Sequence, residues 1–456
     1  MPDPRPQLIL RLGTHAEKEY LERTAQFLDG VILGANLVES TPGATASLIV
    51  ALCGAKQKLQ YYIDPMTYAF GTYVDRSGRL RNDLDWIKSD QQVKGGKKGQ
   101  TKRDFKRSYR KLALEQYGGL FATAVNDSKS LTPAQLGPGV DLAPIVTSVL
   151  EYQLNRIRAE FESDPEFREY AAGVPRPAAL IAPYFYCEPS AANDWLSVNL
   201  RLAAAAAAHA SNIPTHAVVC ADAGHLLDPA FITRLRTELP ATKVNGVWLW
   251  FSTFAEDEAG LTELQVFRSL VSDLNAAGLK VYNLHGGYFS LALSKFGLTG
   301  VSHGIGYGEQ KDVVPVIGQA IPTVRYYLPA LHKRLGVLQI QRAFPAMGVV
   351  TAADFHAKAC DCAVCKGIVV NSAADFRLFG ETQLSASATS EVQTPQAAKR
   401  CRFHFLVNRI KERDAMPDLS VANIRERFEV GANGWGAQPT LRGNAGHIMK
   451  WYAALA

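Results

Sequence analysis

Short runs of β-branched, aromatic and other apolar residues alternate with amphipathic helical stretches over the first three-quarters of the chain. Such alternation is typical of parallel α/β architecture, in which a helix follows each strand and covers the sheet. Eight strand–helix units predict a (β/α)8 TIM barrel over residues 1–345. The runs that predict the strands are Leu8–Leu12, Gly30–Gly34, Gln60–Asp64, Ala179–Cys187, His216–Asp222, Gly246–Ser252, Lys280–His285 and Gly300–Gly306.

An open doubly wound sheet is the competing architecture. Its dinucleotide-binding form carries a G-x-G-x-x-G turn after an early strand, and the sequence has no such turn there. The barrel is therefore favoured, and with it an active site at the carboxyl ends of the strands. The polar residues that end predicted strands are Asp64, Asp222, Ser252, His285, Ser302 and His303.

The positive charge of the chain is concentrated in one segment. The 456 residues include 49 Lys and Arg against 43 Asp and Glu, a net charge of +6. Between Lys94 and Lys111, nine basic residues stand against one acidic residue, so this segment carries +8 and the rest of the chain −2. A local basic patch attracts polyanions, although a solvated lysine-rich loop is the common alternative.

Aromatic residues alternate with the arginines of this basic segment. Phe105 and Tyr109 lie among them, which suits phosphate contact combined with base stacking. The segment belongs to a basic insertion, residues 76–132, that follows the third predicted strand. The candidate nucleic-acid contacts are Lys102, Arg103, Lys106, Arg107 and Arg110.

The overall composition is that of a soluble globular protein. With 47% hydrophobic and 20% charged residues, disorder of the whole chain is excluded. No run reaches the ~18 apolar residues that are needed to cross a bilayer. The first residues, MPDPRPQ, lack the apolar core of a secretion signal. These features predict a cytoplasmic protein with no membrane partner.

Three of the seven cysteines lie within six residues. The sequence CDCAVC places Cys360, Cys362 and Cys365 in a C-x-C-x-x-C arrangement, close enough for three thiolates to bind one ion. Three thiolates and one imidazole form a typical tetrahedral zinc site, which predicts a structural Zn²⁺ with His404 as the fourth ligand. Cys401 and His356 are alternative fourth ligands, and an iron–sulfur cluster is an alternative occupant.

The metal motif divides the rest of the chain. Residues 346–413 are predicted to form a small C-terminal zinc-binding subdomain, and residues 414–456 a C-terminal extension. The subdomain contains a polar insert, residues 371–399, whose stretch SASATSEVQTPQ predicts an exposed or disordered loop. Neither this insert nor the basic insertion is expected to contribute to the core.

A C-x-C-x-x-C motif followed by a single His after a (β/α)8 barrel resembles the tRNA-guanine transglycosylase family. In YYIDPMTYAF (Tyr61–Phe70), Asp64 stands where the family has a catalytic Asp. The stretch VYNLHGGYFSLALSKFGLTGVSHGIGYG (Val281–Gly308) is similar in spacing to the late barrel segment that leads into the family's nucleophile. That nucleophile is an aspartate on a Gly-Val strand, whereas Gly300–Ile305 contain no carboxylate. The resemblance covers most of residues 1–413 and is sparse outside these motifs.

The resemblance implies base exchange in a nucleic acid. A divergent branch of the family acts on DNA and inserts 7-deazaguanine bases in place of guanine, and the basic insertion would suit such a polynucleotide. Base exchange breaks an N-glycosidic bond through an oxocarbenium-like state that a carboxylate stabilises or captures. Asp64 is the first candidate, although an Asp before Pro65 is equally suited to capping a turn.

Other strand-end residues could supply the groups that the chemistry still needs. Asp222 and Glu309 are candidates for the missing second carboxylate. His303 could act as an acid or a base, or it could form a hydrogen bond within a tight strand end.

A base that leaves the helix stack must be held by the protein. Flipped bases lie between aromatic or apolar faces, for which Tyr68 and Trp250 are the candidates. Gly286 and Gly287 could let backbone amides approach the edge of the heterocycle.

The sequence thus predicts a zinc-containing glycosyltransferase that exchanges guanine for a 7-deazaguanine base in nucleic acid, with DNA favoured over tRNA. The missing nucleophile motivates an alternative, a non-catalytic nucleic-acid-binding barrel that serves a catalytic protein partner. A third hypothesis is an unrelated barrel hydrolase with a structural zinc.

Neutralising Lys102, Arg103, Lys106 and Arg107 together should weaken nucleic-acid binding and flatten its salt dependence. Each lost phosphate contact lowers the slope of log K against log salt concentration by ~0.9 for duplex DNA. Titrations at several salt concentrations measure that slope. Exchanging Lys for Arg and Arg for Lys at the same positions is the control, and unchanged binding after neutralisation would identify a solvated loop.

Overall fold

Eight parallel strands form a nearly closed barrel in a computed structural model, which describes residues 5–54, 59–72, 108–209, 211–306, 309–313, 323–385 and 390–456. Their order in the sheet is β3-β2-β1-β8-β7-β6-β5-β4. This confirms the predicted (β/α)8 TIM barrel. The strands are β1 Gln7–Leu12, β2 Gly30–Gly34, β3 Gln60–Asp64, β4 Leu180–Ile181, β5 Thr215–Asp222, β6 Gly246–Ser252, β7 Lys280–Asn283 and β8 Leu298–His303.

The fourth strand is much shorter than predicted. It ends at Ile181 because Pro183 follows and has no N–H to donate to a neighbouring strand. The chain rejoins β5 at Cys187, whose N–H donates to the carbonyl of Cys220 at 2.8 Å. Residues 182–186, predicted to complete β4, therefore form an irregular segment at the carboxyl end of that strand.

The barrel closes between β3 and β4. Among the described residues, one backbone hydrogen bond joins the two sides, from the N–H of Ala178 to the carbonyl of Tyr61 at 2.9 Å. The hydroxyl of Thr67 donates to the carbonyl of Tyr184 at 2.7 Å and accepts from its N–H at 2.8 Å. Side chains thus replace part of the ladder that joins the other strands.

Helices cover the outside of the barrel and continue beyond it. The barrel helices are α1 Lys18–Thr24, α2 Ala35–Ser40, α3 Pro42–Cys53, α4 Tyr68–Thr72, α5 Gly119–Asp127, α6 Ala143–Ser163, α7 Ala192–Ala207, α8 Pro229–Ala241, α9 Leu261–Ala276 and α10 Tyr288–Ala292. The later helices are α11 Val337–Gln341, α12 Ala352–Lys358, α13 Ala363–Ile368, α14 Pro395–Ala415, α15 Val421–Asn433 and α16 Gly446–Ala454. None of these described helices has the length and apolar character that a membrane span requires.

The described part of the basic insertion contributes to the core, contrary to expectation. Residues 108–132 follow the most basic stretch and bury apolar residues at helical spacing, among them Leu112, Tyr117 and Phe121. Tyr117 also donates its hydroxyl to the carbonyl of Pro65 at 2.8 Å. The prediction rests on the charge of the insertion and does not consider the spacing of these apolar residues. The candidate contacts Lys102, Arg103, Lys106 and Arg107 lie outside the described residues, and Arg110 is half-buried.

The polar insert is also ordered where it is described, so the expected loop is wrong there. Residues Ala373–Phe379 form a 3₁₀ helix that Ser372 caps, and Phe376 and Phe379 are fully buried. Strands β11 Thr382–Leu384 and β12 Glu391–Gln393 then form a hairpin. The three-residue spacing of Phe376 and Phe379 indicates a helical turn with one apolar face, but the residues around them are mostly polar and favour a loop.

Helix α14 connects the C-terminal region to the barrel. The guanidinium of Arg413 forms an ion pair with Asp29, which precedes β2, and donates to the carbonyl of Phe27 at 2.5 Å. A small antiparallel hairpin, β9 Tyr326–Leu328 with β10 Lys333–Leu335, packs beside this helix. Arg413 thus fixes the end of α14 at the amino end of β2, which is the end of the barrel opposite Asp64.

Replacing Gln153 should open the barrel at β4. The side chain of Gln153 is fully buried and hydrogen-bonds both the N–H and the carbonyl of Ile181, each at 2.8 Å. Gln153→Leu leaves both groups unpaired and should lower the free energy of unfolding by ~2–4 kcal/mol. Urea unfolding measures this change. The exposed Asn155→Leu on the same helix should cost less than ~0.5 kcal/mol, and equal effects would contradict the role of Gln153.

Candidate active site and metal site

Asp64 lies at the carboxyl end of β3, inside the barrel mouth. Its side chain is 1% exposed, and Arg11 of β1 donates to Oδ2 at 2.7 Å. The hydroxyl of Tyr184 donates to Oδ1 at 2.8 Å, and so does the N–H of Met66 at 3.0 Å. Asp64 thus caps the turn around Pro65 and also faces the mouth. The turn cap and the candidate catalytic carboxylate, which the sequence leaves as alternatives, are therefore compatible.

Arg11 offers a free donor at the same place. It is 8% exposed, and its Nη1 has no hydrogen-bond partner among the described residues. A buried guanidinium nitrogen without a partner is costly, so a ligand oxygen at this position would stabilise the site.

An aromatic wall borders the Arg11–Asp64 pair. The rings of Tyr68 and Tyr184 stack with centroids 5.6 Å apart, and Tyr68 meets Trp250 edge-on at 5.0 Å. Trp250 in turn contacts the ring of His285 at 5.1 Å. The structure therefore brings the two predicted base-binding aromatics, Tyr68 and Trp250, together beside Asp64.

The segment 309–313 reaches across this wall. The indole N–H of Trp250 donates to the carbonyl of Lys311 at 2.7 Å, and the Lys311 Nζ lies 5.3 Å from the centre of that ring. Burial and the charge of Arg11 lower the pKa of Lys311 to about 7, while the charge of Asp64 opposes the shift. A substantial fraction of this amine is therefore neutral near pH 7.

The other predicted strand-end candidates have internal partners. Asp222 is half-buried, accepts from the hydroxyl of Tyr186 at 3.1 Å and caps a 3₁₀ turn through the N–H of Gly224 at 2.9 Å. His303 is fully buried with its Nδ1 3.0 Å from the carbonyl of Gly304. Burial and the charge of Arg409 lower the pKa of His303 to about 3, so its ring is neutral at pH 7.

Glu309 forms a second cluster with Glu256. Arg409 of α14 lies 2.5 Å from Oε1 of Glu309, and Arg334 lies 3.2 Å from Oε2. A Cβ atom at Gly287 would lie 2.8 Å from Glu256 Oε2 and 3.2 Å from Glu309 Oε1. Glycine is therefore required at position 287 because two carboxyl groups converge on its backbone.

Glu256 is the buried member of this cluster. The hydroxyl of Ser290 lies 2.5 Å from its Oε1, and the amide of Asn283 lies 3.4 Å from the same oxygen. Burial raises the pKa of Glu256 to about 7, although hydrogen bonds from Ser290 and Gly287 oppose the rise. Gly286 is equally constrained, since a Cβ there would lie 2.8 Å from both Asn283 and Ser290.

A cavity of ≈ 270 Å³ adjoins this cluster. It lies between the loops after β6 and β7 and the C-terminal elements, and its lining is mostly charged. Glu256, Gly287, Tyr288, Glu309, His332 and Arg334 are among the residues that line it.

The four predicted metal ligands lie together. The ligand atoms of Cys360, Cys362, Cys365 and His404 all fall within 4.8 Å of one another, and all four residues are buried. Cys362 caps helix α13, which brings the sulfur of Cys365 back toward it after one turn. Hydrogen bonds with Cys360 and Cys365 lower the pKa of Cys362 to about 3, whereas burial raises that of Cys365.

Neighbouring groups orient the histidine of this cluster. Its Nε2 lies 2.6 Å from the carbonyl of Tyr327, so Nε2 carries the proton and Nδ1 faces the sulfurs of Cys362 and Cys365 at 3.3 Å each. Such an outer hydrogen bond is typical of metal-binding histidines. The alternative ligands lie elsewhere: Cys401 faces the carbonyl of Phe379, and His356 lies between two backbone carbonyls.

Sequence reasoning missed three groups, namely Arg11, Glu256 and Lys311. Arg11 is a polar residue near the end of β1, so the rule that selected Asp64 could also have selected it. No local signal marks the other two. Glu256 looks like an acidic lead-in to α9, and Lys311 follows β8 in a segment of mixed charge.

Glu256→Gln should change the pH dependence of stability. The pKa of Glu256 rises from the ordinary 4.5 to about 7 in the folded chain, so only the folded chain holds the proton between these values. Glu256 therefore makes stability fall as pH rises through this window, by up to ~1.4 kcal/mol per pH unit.

The stability of the Gln variant relative to wild type should accordingly increase from pH 5 to pH 7 and then level off. Urea unfolding at each pH measures both chains. The exposed Glu258→Gln is the matched control for removal of a carboxylate, and a flat difference for Glu256→Gln would contradict the raised pKa.

Comparison with known proteins gives no match: no protein-family model, no curated protein and no solved structure shows significant similarity to this chain.

Proposed function

We propose that the chain is a guanine transglycosylase-like enzyme that exchanges guanine for a 7-deazaguanine base in nucleic acid, with DNA favoured over tRNA. The observation that carries the proposal is the position of Asp64, buried at the carboxyl end of a barrel strand beside Arg11 and an aromatic wall. Active sites of (β/α)8 enzymes form at this end of the barrel.

The groups around Asp64 suit cleavage of an N-glycosidic bond. The transition state carries positive charge on the sugar, which a fixed carboxylate stabilises. The free Nη1 of Arg11 could donate to a carbonyl oxygen of the leaving or incoming base. Tyr68 and Trp250 are buried against each other beside Asp64, and aromatic side chains are the residue type that holds an unstacked base.

The basic insertion supports a polynucleotide as the substrate. The insertion follows β3 and α4 in the sequence, and its basic run begins at Lys94, 30 positions after Asp64. Phosphate contacts of this kind give affinity without sequence information.

A non-catalytic nucleic-acid-binding subunit is the second candidate. It is favoured by the end of β8, where Ser302 and His303 stand in place of a carboxylate and His303 is neutral and buried. Asp222 and Glu309 are already engaged by Tyr186 and by two arginines. Such a chain would position nucleic acid for a catalytic protein partner.

We propose that the cysteine–histidine cluster holds a structural Zn²⁺. Three sulfurs and one imidazole nitrogen are the donor set that tetrahedral zinc prefers, and four protein ligands leave no open position for catalysis. Tyr326 and Asn408 surround the ligands, with the Tyr326 hydroxyl 3.2 Å from the Cys365 sulfur. The ion would tie α13 and α14 to β9.

Asp64→Asn should reduce base exchange by at least ~10²-fold while the fold persists, because the amide keeps the shape but loses the charge. Release of guanine from DNA and from tRNA, with 7-deazaguanine supplied, measures the reaction. Asp141→Asn is the matched control, since this exposed carboxylate also caps a turn by accepting from Ala143 N–H at 2.9 Å. Full activity of Asp64→Asn would exclude Asp64, and no activity of the wild-type chain would favour the non-catalytic subunit.

Cys365→Ser should lose the metal and lower the urea midpoint of unfolding, because folding is coupled to ligation. Metal analysis of the purified chain is expected to give about one zinc per chain for four ligands. Cys401→Ser should retain it, since this buried sulfur lies outside the cluster. Visible absorption with acid-labile sulfide would instead identify an iron–sulfur cluster.

A further inference from the structure

We propose that Lys311 is the nucleophile of the base exchange and forms a transient imine with C1′ of the target nucleotide. This inference rests on the proposed function. It identifies a nucleophile for a chain in which the end of β8, Gly300–Ile305, contains no carboxylate.

The backbone of Lys311 is fixed at the end of β6 by three consecutive contacts. The carbonyl of Lys311 accepts from the indole of Trp250 at 2.7 Å. Asp312 accepts from the N–H of Thr253 at 3.0 Å, and the N–H of Val313 donates to the hydroxyl of Ser252 at 3.0 Å. The segment 311–313 is therefore held against the end of β6, the strand that carries Trp250.

The surroundings of the amine favour a reactive lysine. Its Nζ lies 5.3 Å from the centre of the Trp250 ring, and Arg11, Asp64 and Cys220 are near enough to influence its protonation. Burial and Arg11 lower the pKa of Lys311 to about 7, so the neutral, nucleophilic form is well populated. Lys311 as a whole is of intermediate exposure, so part of the residue reaches the surface.

The carboxylates near the mouth are less suited to this attack. Both oxygens of Asp64 accept hydrogen bonds, Oδ2 from Arg11 and Oδ1 from Tyr184 and Met66. Glu309 is held between Arg334 and Arg409. These bonds reduce nucleophilicity but leave a negative charge, which makes Asp64 the group that stabilises a cationic intermediate.

The reaction then balances in two reversible steps. The lone pair of the neutral Nζ forms a bond to C1′ while the C1′–N9 bond breaks, and guanine leaves with that electron pair and takes the proton that Nζ loses. One proton from solvent next adds to O4′ as the C1′–O4′ bond breaks, which leaves a C1′=Nζ iminium. The same steps in reverse, with the protonated N9 of 7-deazaguanine as the donor, restore the sugar and the free amine.

Borohydride trapping tests this intermediate. The purified full-length chain is incubated with an oligonucleotide that contains 2′-deoxyguanosine, with and without sodium cyanoborohydride, and released guanine is measured in parallel. Reduction of the iminium would join protein and oligonucleotide through a stable amine, which peptide mass mapping locates. Lys311→Arg keeps the charge for binding but removes the nucleophile. Lys280→Arg is the control, because Lys280 is exposed at the start of β7, at the opposite end of the barrel.

The expected result is guanine release and an adduct on Lys311 for the wild-type chain and for Lys280→Arg. Lys311→Arg should bind the oligonucleotide but lose exchange by at least ~10³-fold and form no adduct. Guanine release without an adduct, an adduct on another residue, or an active Lys311→Arg would overturn the role of Lys311 and leave the proposed function standing. No guanine release by the wild-type chain from either DNA or tRNA would overturn both.

Discussion

Closure of the barrel between β3 and β4 depends on side chains, and the same side chains form the candidate site. Only one backbone hydrogen bond, from Ala178 to Tyr61, joins the two sides among the described residues. The hydroxyl of Tyr184 reaches across to Asp64, which in turn binds Arg11 on β1. A carboxylate that closes the barrel cannot change its orientation without opening the wall. The fold therefore preorganises Asp64, which is what electrostatic stabilisation of a developing cation requires.

Helix α14 links the metal cluster to the barrel mouth. His404 lies in the cluster, Arg409 binds Glu309, and Arg413 binds Asp29 before β2. Arg409 and Arg413 are four positions apart and lie on one face of the helix, whereas His404 lies on another face, about 140° around the helix axis from Arg409. Buried arginines pair well only when their helix is fixed, and an ion at the cluster would fix it. An ion at the cluster would thus affect the barrel mouth through the position of α14 and its contact between Arg409 and Glu309.

Much of the architecture could be predicted from the sequence, because strands buried on both faces and tightly spaced cysteines are local signals. The limits of β2, β3 and β6 and the four-ligand cluster follow from such signals. The ordered part of the 371–399 insert could not be predicted, since two buried phenylalanines are outweighed by polar neighbours. Lys311 and Glu256 could not either, because their chemistry arises from burial and from partners distant in the sequence. Only the three-dimensional arrangement creates those environments.

The charge balance of the second cluster explains why its carboxyl groups behave differently. Arg409 contacts Glu309 at 2.5 Å and Glu412 at 3.0 Å, and Arg334 adds a second cation beside Glu309. Two guanidinium groups thus pair with two carboxylates, whereas Glu256 forms no ion pair among the described residues and interacts with the charge of Arg409 only at longer range. Burial then favours the protonated form of Glu256, which keeps the buried group close to neutrality. The raised pKa of Glu256, beside a cavity whose lining is mostly charged, thus arises from burial among the hydrogen-bond donors Ser290 and Asn283 rather than from a lack of contacts.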